Sequence, residues 1–295
     1  MVSKQKTNIL ITGAGGFLGT VLTTHLAASP HALRLAARKK ISVPKNARAL
    51  YGDLTNPAYC KKIVKGIDVV YYTAGFKKNI AVHTGTPYEA LAGNVLPLLT
   101  FLSAAKKSNI KKLIYVSSTI VEYASLSDEK IDGYVWGKYI NEMALKAFAK
   151  EVDIDIKIVR SAPLYGAGDS FDPKTANFIP AFIRRVAGAK GEVVIWGNGK
   201  RTLQFIYVDD LVRNLMAAST SSRTFFVFGN KERVTVNDIA RNIIKISGRT
   251  LGLRHDLTKP DKKTMLSSFD NLVKPKIDME AGLKKTLQYY RTHHA

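Results

Sequence analysis

Cysteine is nearly absent from this chain of 295 residues: Cys60 stands alone. A single thiol excludes an internal disulfide and any metal centre built from several cysteines, so no metal is expected, and it fits a reducing compartment. Long apolar runs are missing too. None approaches the ~20 residues that a membrane span requires, although 46% of the chain is hydrophobic, enough to bury a full core. The opening Met1-Val-Ser-Lys-Gln-Lys-Thr-Asn8 leads straight into a strand-like stretch and does not read as a signal peptide. The expectation is a cytoplasmic protein with no membrane partner. Acidic residues are scarce as well, 23 against 45 Lys and Arg, a net charge of +22. Such an excess favours anionic partners: nucleic acid, a membrane surface or phosphorylated small molecules. The cations are scattered, and pairs such as Lys39-Lys40, Lys61-Lys62, Lys77-Lys78 and Lys284-Lys285 read as solvated helix ends and loops. That scatter disfavours nucleic acid.

What the chain does carry begins at Asn8-Ile-Leu-Ile-Thr12, a short buried-strand pattern. It is followed by Gly13-Ala-Gly-Gly-Phe-Leu-Gly19 and an apolar helix through Ala28. Glycines permit a tight turn and close backbone approach, and a helix N-terminus offers free N–H groups to a diphosphate. Strand, glycine turn and helix together predict dinucleotide binding. The second strand, Leu33-Arg-Leu-Ala-Ala37, runs into Arg38-Lys39-Lys40 rather than into an acid. An acid there would accept from a ribose 2′-hydroxyl, whereas Arg38 can pair with a 2′-phosphate, which favours NADP(H) over NAD(H). The plainer alternative is a solvated basic loop.

Further strands read at Ala49–Tyr51, Val69–Tyr72, Lys112–Val116 and Asp155–Val159, with a long helical pattern from about Pro87 to Lys107 between the second and third of these and the Tyr134 helix before the fourth. Strands alternating with helices predict an α/β fold: a doubly wound parallel (Rossmann) sheet with its site at the strands' C-terminal edge. Residues 1–160 are expected to form this domain. Residues 161–295 are expected to form mainly a smaller substrate-binding lobe, with some segments returning to the first. Val193–Ile195 and Phe225–Phe228 read as strands, Asp209 and Asp210 as helix caps, and 254–274 as mostly polar and irregular.

Within the first domain, Tyr134-Val-Trp-Gly-Lys138 places a phenol and an ammonium one helical turn apart on one face. Phenols titrate near pH ~10, so a nearby cation would make Tyr134 a usable proton carrier. The same spacing also arises by chance on solvated helices.

The ordered set Thr12-Gly-Ala-Gly-Gly-Phe-Leu-Gly19, Gly52-Asp53-Leu54, Ser117-Ser118, Tyr134-Val-Trp-Gly-Lys138 and Arg160 resembles the extended short-chain dehydrogenase/reductase superfamily over nearly the whole chain. Tyr165-Gly-Ala-Gly-Asp-Ser-Phe-Asp172, Asn177-Phe-Ile-Pro180, Trp196-Gly-Asn-Gly199 and Gln204-Phe-Ile-Tyr-Val-Asp-Asp-Leu211 resemble its nucleotide-sugar epimerase and reductase branch. The resemblance implies that Tyr134 is the acid/base, that Lys138 binds the nicotinamide ribose and depresses the Tyr134 pKa, and that Ser118 bonds the reacting oxygen, with Thr119 one register away. It implies cofactor contacts from Gly13, Gly16, Phe17, Leu18, Gly19, Arg38, Asp53, Leu54, Ala74 and Gly75 besides Tyr134 and Lys138. Of these, Gly13, Gly16 and Gly19 would touch the diphosphate. Substrate contacts would come from Thr119, Asn177, Arg185, Trp196 and Arg201. A homodimer and a nucleotide-sugar partner are further implications.

Departures from the pattern narrow the chemistry. GDP-fucose synthases, which this chain resembles, carry a cysteine and a histidine for epimerisation at C3 and C5; the matching positions here are Ile120 and Asn177. The Asp-Glu pair of the 4,6-dehydratases is replaced by Thr119-Ile120, the diphosphate arginine by Leu203, and an asparagine after Arg160 by Pro163. What survives is redox at one sugar carbon, C4, as a 4-keto reductase or 4-epimerase. Alternatives are a reductase of a steroid- or flavonoid-like ketone and a non-catalytic NADP-sensing or RNA-binding module.

Overall fold

The computed structural model describes residues 7–76, 85–123, 132–259 and 264–294. Lys77-Lys78, much of the loop between Ser118 and Tyr134, and residues 260–263 lie outside them. In chain order the elements are β1 (Asn8–Thr12), α1 (Phe17–Ala27), β2 (Ala32–Ala37), β3 (Ala47–Tyr51), α2 (Pro57–Val64), β4 (Val69–Tyr72), α3 (Pro87–Ala105), β5 (Lys112–Ser118), α4 (Gly133–Phe148) and β6 (Asp155–Ser161). They continue with β7 (Leu164–Tyr165), α5 (Phe178–Gly188), β8 (Glu192–Trp196), β9 (Thr202–Leu203), β10 (Ile206–Tyr207), α6 (Val208–Ala218), β11 (Phe225–Phe228), β12 (Val234–Thr235), α7 (Val236–Ser247), β13 (Gly252–Asp256) and α8 (Met279–His294). The chain divides into two compact units, Met1–Arg160 with Val212–Phe226, and Ser161–Leu211 with Val227–Ala295.

The first unit is built on a seven-stranded sheet of order β11-β6-β5-β4-β1-β2-β3. The ladders joining β5, β4, β1, β2 and β3 are all parallel. Counting from β3 to β6, this is the Rossmann order, and the switch point falls between β1 and β4. Parallel strands covered on both faces must be apolar throughout. Accordingly Leu10, Val70, Tyr72, Leu113 and Tyr115 are all essentially inaccessible, packed with Ile63 and Phe101 from the helices. Two caps fix helix starts near the site. Asn56 accepts from the Ala58 and Tyr59 amides with Pro57 as first helical residue, and Asp132 accepts from the Tyr134 and Val135 amides.

The second unit holds three two-stranded pieces: β7 with β10 and β8 with β13 run parallel, and β9 with β12 antiparallel. β13 corrects the expectation of an irregular stretch there. Its Gly252-Leu-Arg-His-Asp256 sequence has one aliphatic residue, so its strand character comes from pairing with β8, Gly252 opposite Glu192 through Asp256 opposite Trp196. Helix α7 opens with a Thr235/Asp238 capping box and closes on Gly248 in the left-handed region, φ 71. Asp210 is almost fully buried, and its carboxylate accepts from the Lys276 and Ile277 amides at 2.8 and 3.0 Å. Among the described residues no helix is long and apolar enough to cross a membrane, and no cluster of three His, Cys, Asp or Glu could hold a metal ion.

Candidate active site

At the switch point of the first unit lies a cleft of about 540 Å³. Its wall is laid out by glycine. Gly13 has φ +68, and a Cβ added to it would come within 2.8 Å of the Ala74 backbone, so the β1 turn lies directly against the end of β4. The Thr73 hydroxyl ties the same two strand ends together by donating to the Thr12 carbonyl at 2.7 Å. Gly16 donates its amide to the Gly13 carbonyl at 2.9 Å and precedes α1. The first turn of a helix leaves N–H groups without intrahelical acceptors, here those of Phe17 and Leu18. Gly19 is buried under the turn, where an added Cβ would strike the Gly13 carbonyl oxygen. It lets the helix close on the turn.

Opposite the turn, Arg38, Lys39, Lys40 and Ile41 line the cleft, with Gly52, Asp53, Leu54 and Thr55 beyond them and Ala74, Gly75 and Asn94 at the far end. A Cβ on Gly15 would meet Ile41 Cγ2 at 2.9 Å, so the basic segment closes over the glycine turn. The Asp53 carboxyl accepts from the Thr55 amide and hydroxyl, both at 2.8 Å, which holds its pKa below the ordinary value. A glycine wall that a Cβ would fill, helix N–H donors and a cationic rim together suit a dinucleotide phosphate.

Three side chains meet beside this cleft. Ser118 ends β5 and hydrogen-bonds Tyr134, the second residue of α4. Lys138, one turn later and buried, donates from Nζ to the Val116 carbonyl at 2.8 Å. A Cβ on Gly75, which lines the cleft, would lie 3.6 Å from that ammonium. Thr119 instead begins a short 3-10 turn, buried, and Ile120 follows it with its amide on the Ser118 hydroxyl at 3.4 Å.

The phenol's ionisation differs from expectation. Burial pushes the Tyr134 pKa up to about 12, opposed by the Ser118 hydrogen bond and reinforced by the Asp132 carboxylate. The Lys138 ammonium lies 6.0 Å from the Tyr134 ring and 5.0 Å from that of Tyr115, held by the Val116 carbonyl. Desolvation therefore outweighs it. Asp132→Asn, which keeps the cap oxygen but removes its charge, should lower the Tyr134 pKa, and Ser118→Ala should raise it. Alkaline titration of the 13Cζ-tyrosine resonance, assigned with Tyr134→Phe, reads both; shifts in the opposite directions would refute the assignment of causes.

Sequence reasoning gave no role to the polar residues behind these three. Asn94 donates to the Phe76 and Ala90 carbonyls and accepts from the Phe76 amide at 3.1 Å, fixing the segment after Gly75. Asn141 donates to the Asn94 carbonyl and the Tyr115 hydroxyl. Glu142 is fully buried and paired with Arg160. The available signal was the face of α4: residues 134, 138, 141 and 142 share one stripe.

In the second unit, Asn177 donates its amide to the Asp169 carboxylate at 3.2 Å. The Arg185 guanidinium lies 4.7 Å from the centre of the Phe182 ring and donates to the Val194 carbonyl, and burial lowers its pKa. Trp196 is 66% exposed at the end of β8. Arg201 precedes β9, where Leu203 is buried opposite Val234.

Among curated relatives, GDP-L-colitose synthase of Yersinia pseudotuberculosis is 26% identical, covering 96% of this chain and 97% of its own. dTDP-4-dehydro-6-deoxy-D-allose reductase of a Streptomyces species is 25% identical, covering 97% and 96%. UDP-glucuronic acid 4-epimerase of Bacillus cereus, solved with UDP-glucuronic acid and NAD, superposes with a TM-score of 0.84 at 22% identity, covering 97% and 99%. The model of the NAD dependent epimerase/dehydratase family matches residues 9–227. With that match, the Rossmann order and the glycine-walled cleft, the chain belongs to the NAD dependent epimerase/dehydratase family, in the nucleotide-sugar branch of the extended short-chain dehydrogenases/reductases.

Proposed function

We propose that this enzyme is an NADP(H)-dependent oxidoreductase acting at C4 of a nucleotide sugar, with Tyr134 as its acid/base. The observation that carries the reading is the meeting of Ser118, Tyr134 and Lys138 beside a cleft whose rim is Arg38-Lys39-Lys40. When bound, the dinucleotide supplies or accepts the hydride. The chain's own residues manage the proton. At a pKa near 12, Tyr134 is a neutral acid at physiological pH, the form that protonates the oxygen of a 4-keto sugar as it is reduced. Ser118 orients that oxygen, and Lys138 would hold the nicotinamide ribose from its place near Gly75. Ile120 cannot carry a proton, and the Asn177 amide is engaged with Asp169, which supports chemistry at a single carbon.

The relatives' names span GDP, dTDP and UDP sugars, so the test uses all three. NADPH oxidation with 4-keto-6-deoxy sugar nucleotides, or C4 inversion without added cofactor, is expected for at least one base. Protein that binds NADPH yet does neither would sink the reading. The cofactor preference has its own test. Arg38→Ser should weaken NADPH binding about 10- to 100-fold, the loss of a charge-assisted contact, while NADH affinity stays unchanged. Wild-type protein that prefers NADH in fluorescence titrations would overturn it.

A further inference from the structure

Glu142 is a buried carboxylate to which the proposed chemistry gives no task. It lies one turn beyond Lys138 and two beyond Tyr134, on the same face of α4. Arg160, at the end of β6, grips it with Nε 3.0 Å from Oε1 and Nη2 2.8 Å from Oε2. This pairing holds the Arg160 pKa above its ordinary value. On the other side, the Ser117 hydroxyl donates to Glu142 Oε1.

The pattern has a geometric meaning. Val116, Ser117 and Ser118 are the last three residues of β5. Each is joined to a different side chain of α4: the Val116 carbonyl to Lys138, the Ser117 hydroxyl to Glu142, and Ser118 to Tyr134. Two of these joints involve the residues of the proposed reaction. The third involves a group with no chemical role, anchored by a second strand through Arg160. A buried ion pair is a poor stability device, because desolvation offsets most of its attraction. What it does supply is a fixed position for each partner.

We propose that Glu142 is a positioning residue: clasped by Arg160 and Ser117, it sets the placement of Tyr134 and Lys138 against the strand end that carries Ser118. The proposal rests on the reading of those three as the catalytic set, so its test includes an arm that needs no turnover.

Ser117→Ala, Glu142→Gln and the double variant are compared with wild type. In the free proteins the 13Cζ resonance of Tyr134 should move in both single variants. With the sugar nucleotide that wild type turns over, each single variant should lose about tenfold in kcat, the cost of a small misplacement of reacting groups. KM and the dinucleotide Kd should stay unchanged. The double variant should lose no more than the worse single, because both remove one link. An unmoved Tyr134 resonance with unchanged kcat in Ser117→Ala would overturn the proposal. So would losses that multiply in the double variant, or a kcat that holds while only Tm falls. If Glu142→Gln does not fold, Ser117→Ala decides alone, since it removes a single oxygen. If wild type turns over no sugar nucleotide, the functional reading fails, while the Tyr134 resonance still decides on the clasp.

Discussion

Tyr134→Phe should lower kcat by about 10²- to 10⁴-fold, the range that a positioned acid/base contributes, and should leave dinucleotide affinity unchanged. The substitution removes one oxygen and keeps the ring, so the packing of α4 is preserved. The residues that line the cleft all precede Lys138 in the chain and end at Pro97, which is why binding should survive. The expected kcat loss is large because few groups could stand in. Ser118 is assigned to orient the reacting oxygen, Lys138 to hold the nicotinamide ribose, and the Ile120 side chain carries no ionisable proton. Stopped-flow NADPH oxidation gives kcat, and fluorescence titration gives the Kd. Turnover at the wild-type rate would remove Tyr134 from the mechanism. A parallel loss of NADPH binding would instead show that the phenol holds the cofactor.

How much of this could be read from sequence depended on whether a signal was local. The Gly13–Gly19 turn could be read because φ +68 against the Ala74 backbone can be met only by glycine, and glycine is visible in a sequence. The Tyr134–Lys138 spacing was visible for the same reason: helix geometry turns a four-residue separation into a shared face. Arg38 stood where a strand meets the cleft. The direction of the Tyr134 pKa could not be read, because it depends on how thoroughly the ring is desolvated by residues distant in the chain. Glu142 was invisible for a related reason. A glutamate on a helix normally faces water, and only Arg160 and Ser117, 18 residues after it and 25 before it, make its burial tolerable. β13 failed the pattern test because its partner, not its composition, makes it a strand.

A second kind of glycine carries the largest expected effect on the scaffold. Gly133→Ala should destabilise the protein by about 1–3 kcal/mol, the usual cost of overpacking a tight contact, and should lower kcat as well. Gly133 opens α4, immediately before Tyr134. A Cβ there would collide with the carbonyl oxygen of Pro87, the first residue of α3, and backbone cannot swing aside as a long side chain can. One turn on, a Cβ on Gly137 would come 2.9 Å from the Asn94 Cβ, and Asn94 is itself held by its bonds to Phe76 and Ala90. The two glycines thus let α4 lie against α3 along the turn that carries Tyr134 and leads to Lys138. With either filled, α4 must retreat, and Tyr134 retreats with it from Ser118. The control is Gly188, at the end of α5, where nothing lies within 4 Å of an added Cβ. Gly188→Ala should be neutral or stabilising by up to about 1 kcal/mol, since alanine costs less backbone entropy in a helix. Urea unfolding gives both free energies. Equal effects at Gly133 and Gly188 would mean that the α3–α4 approach is loose, and that Tyr134 owes its position to the β5 contacts alone.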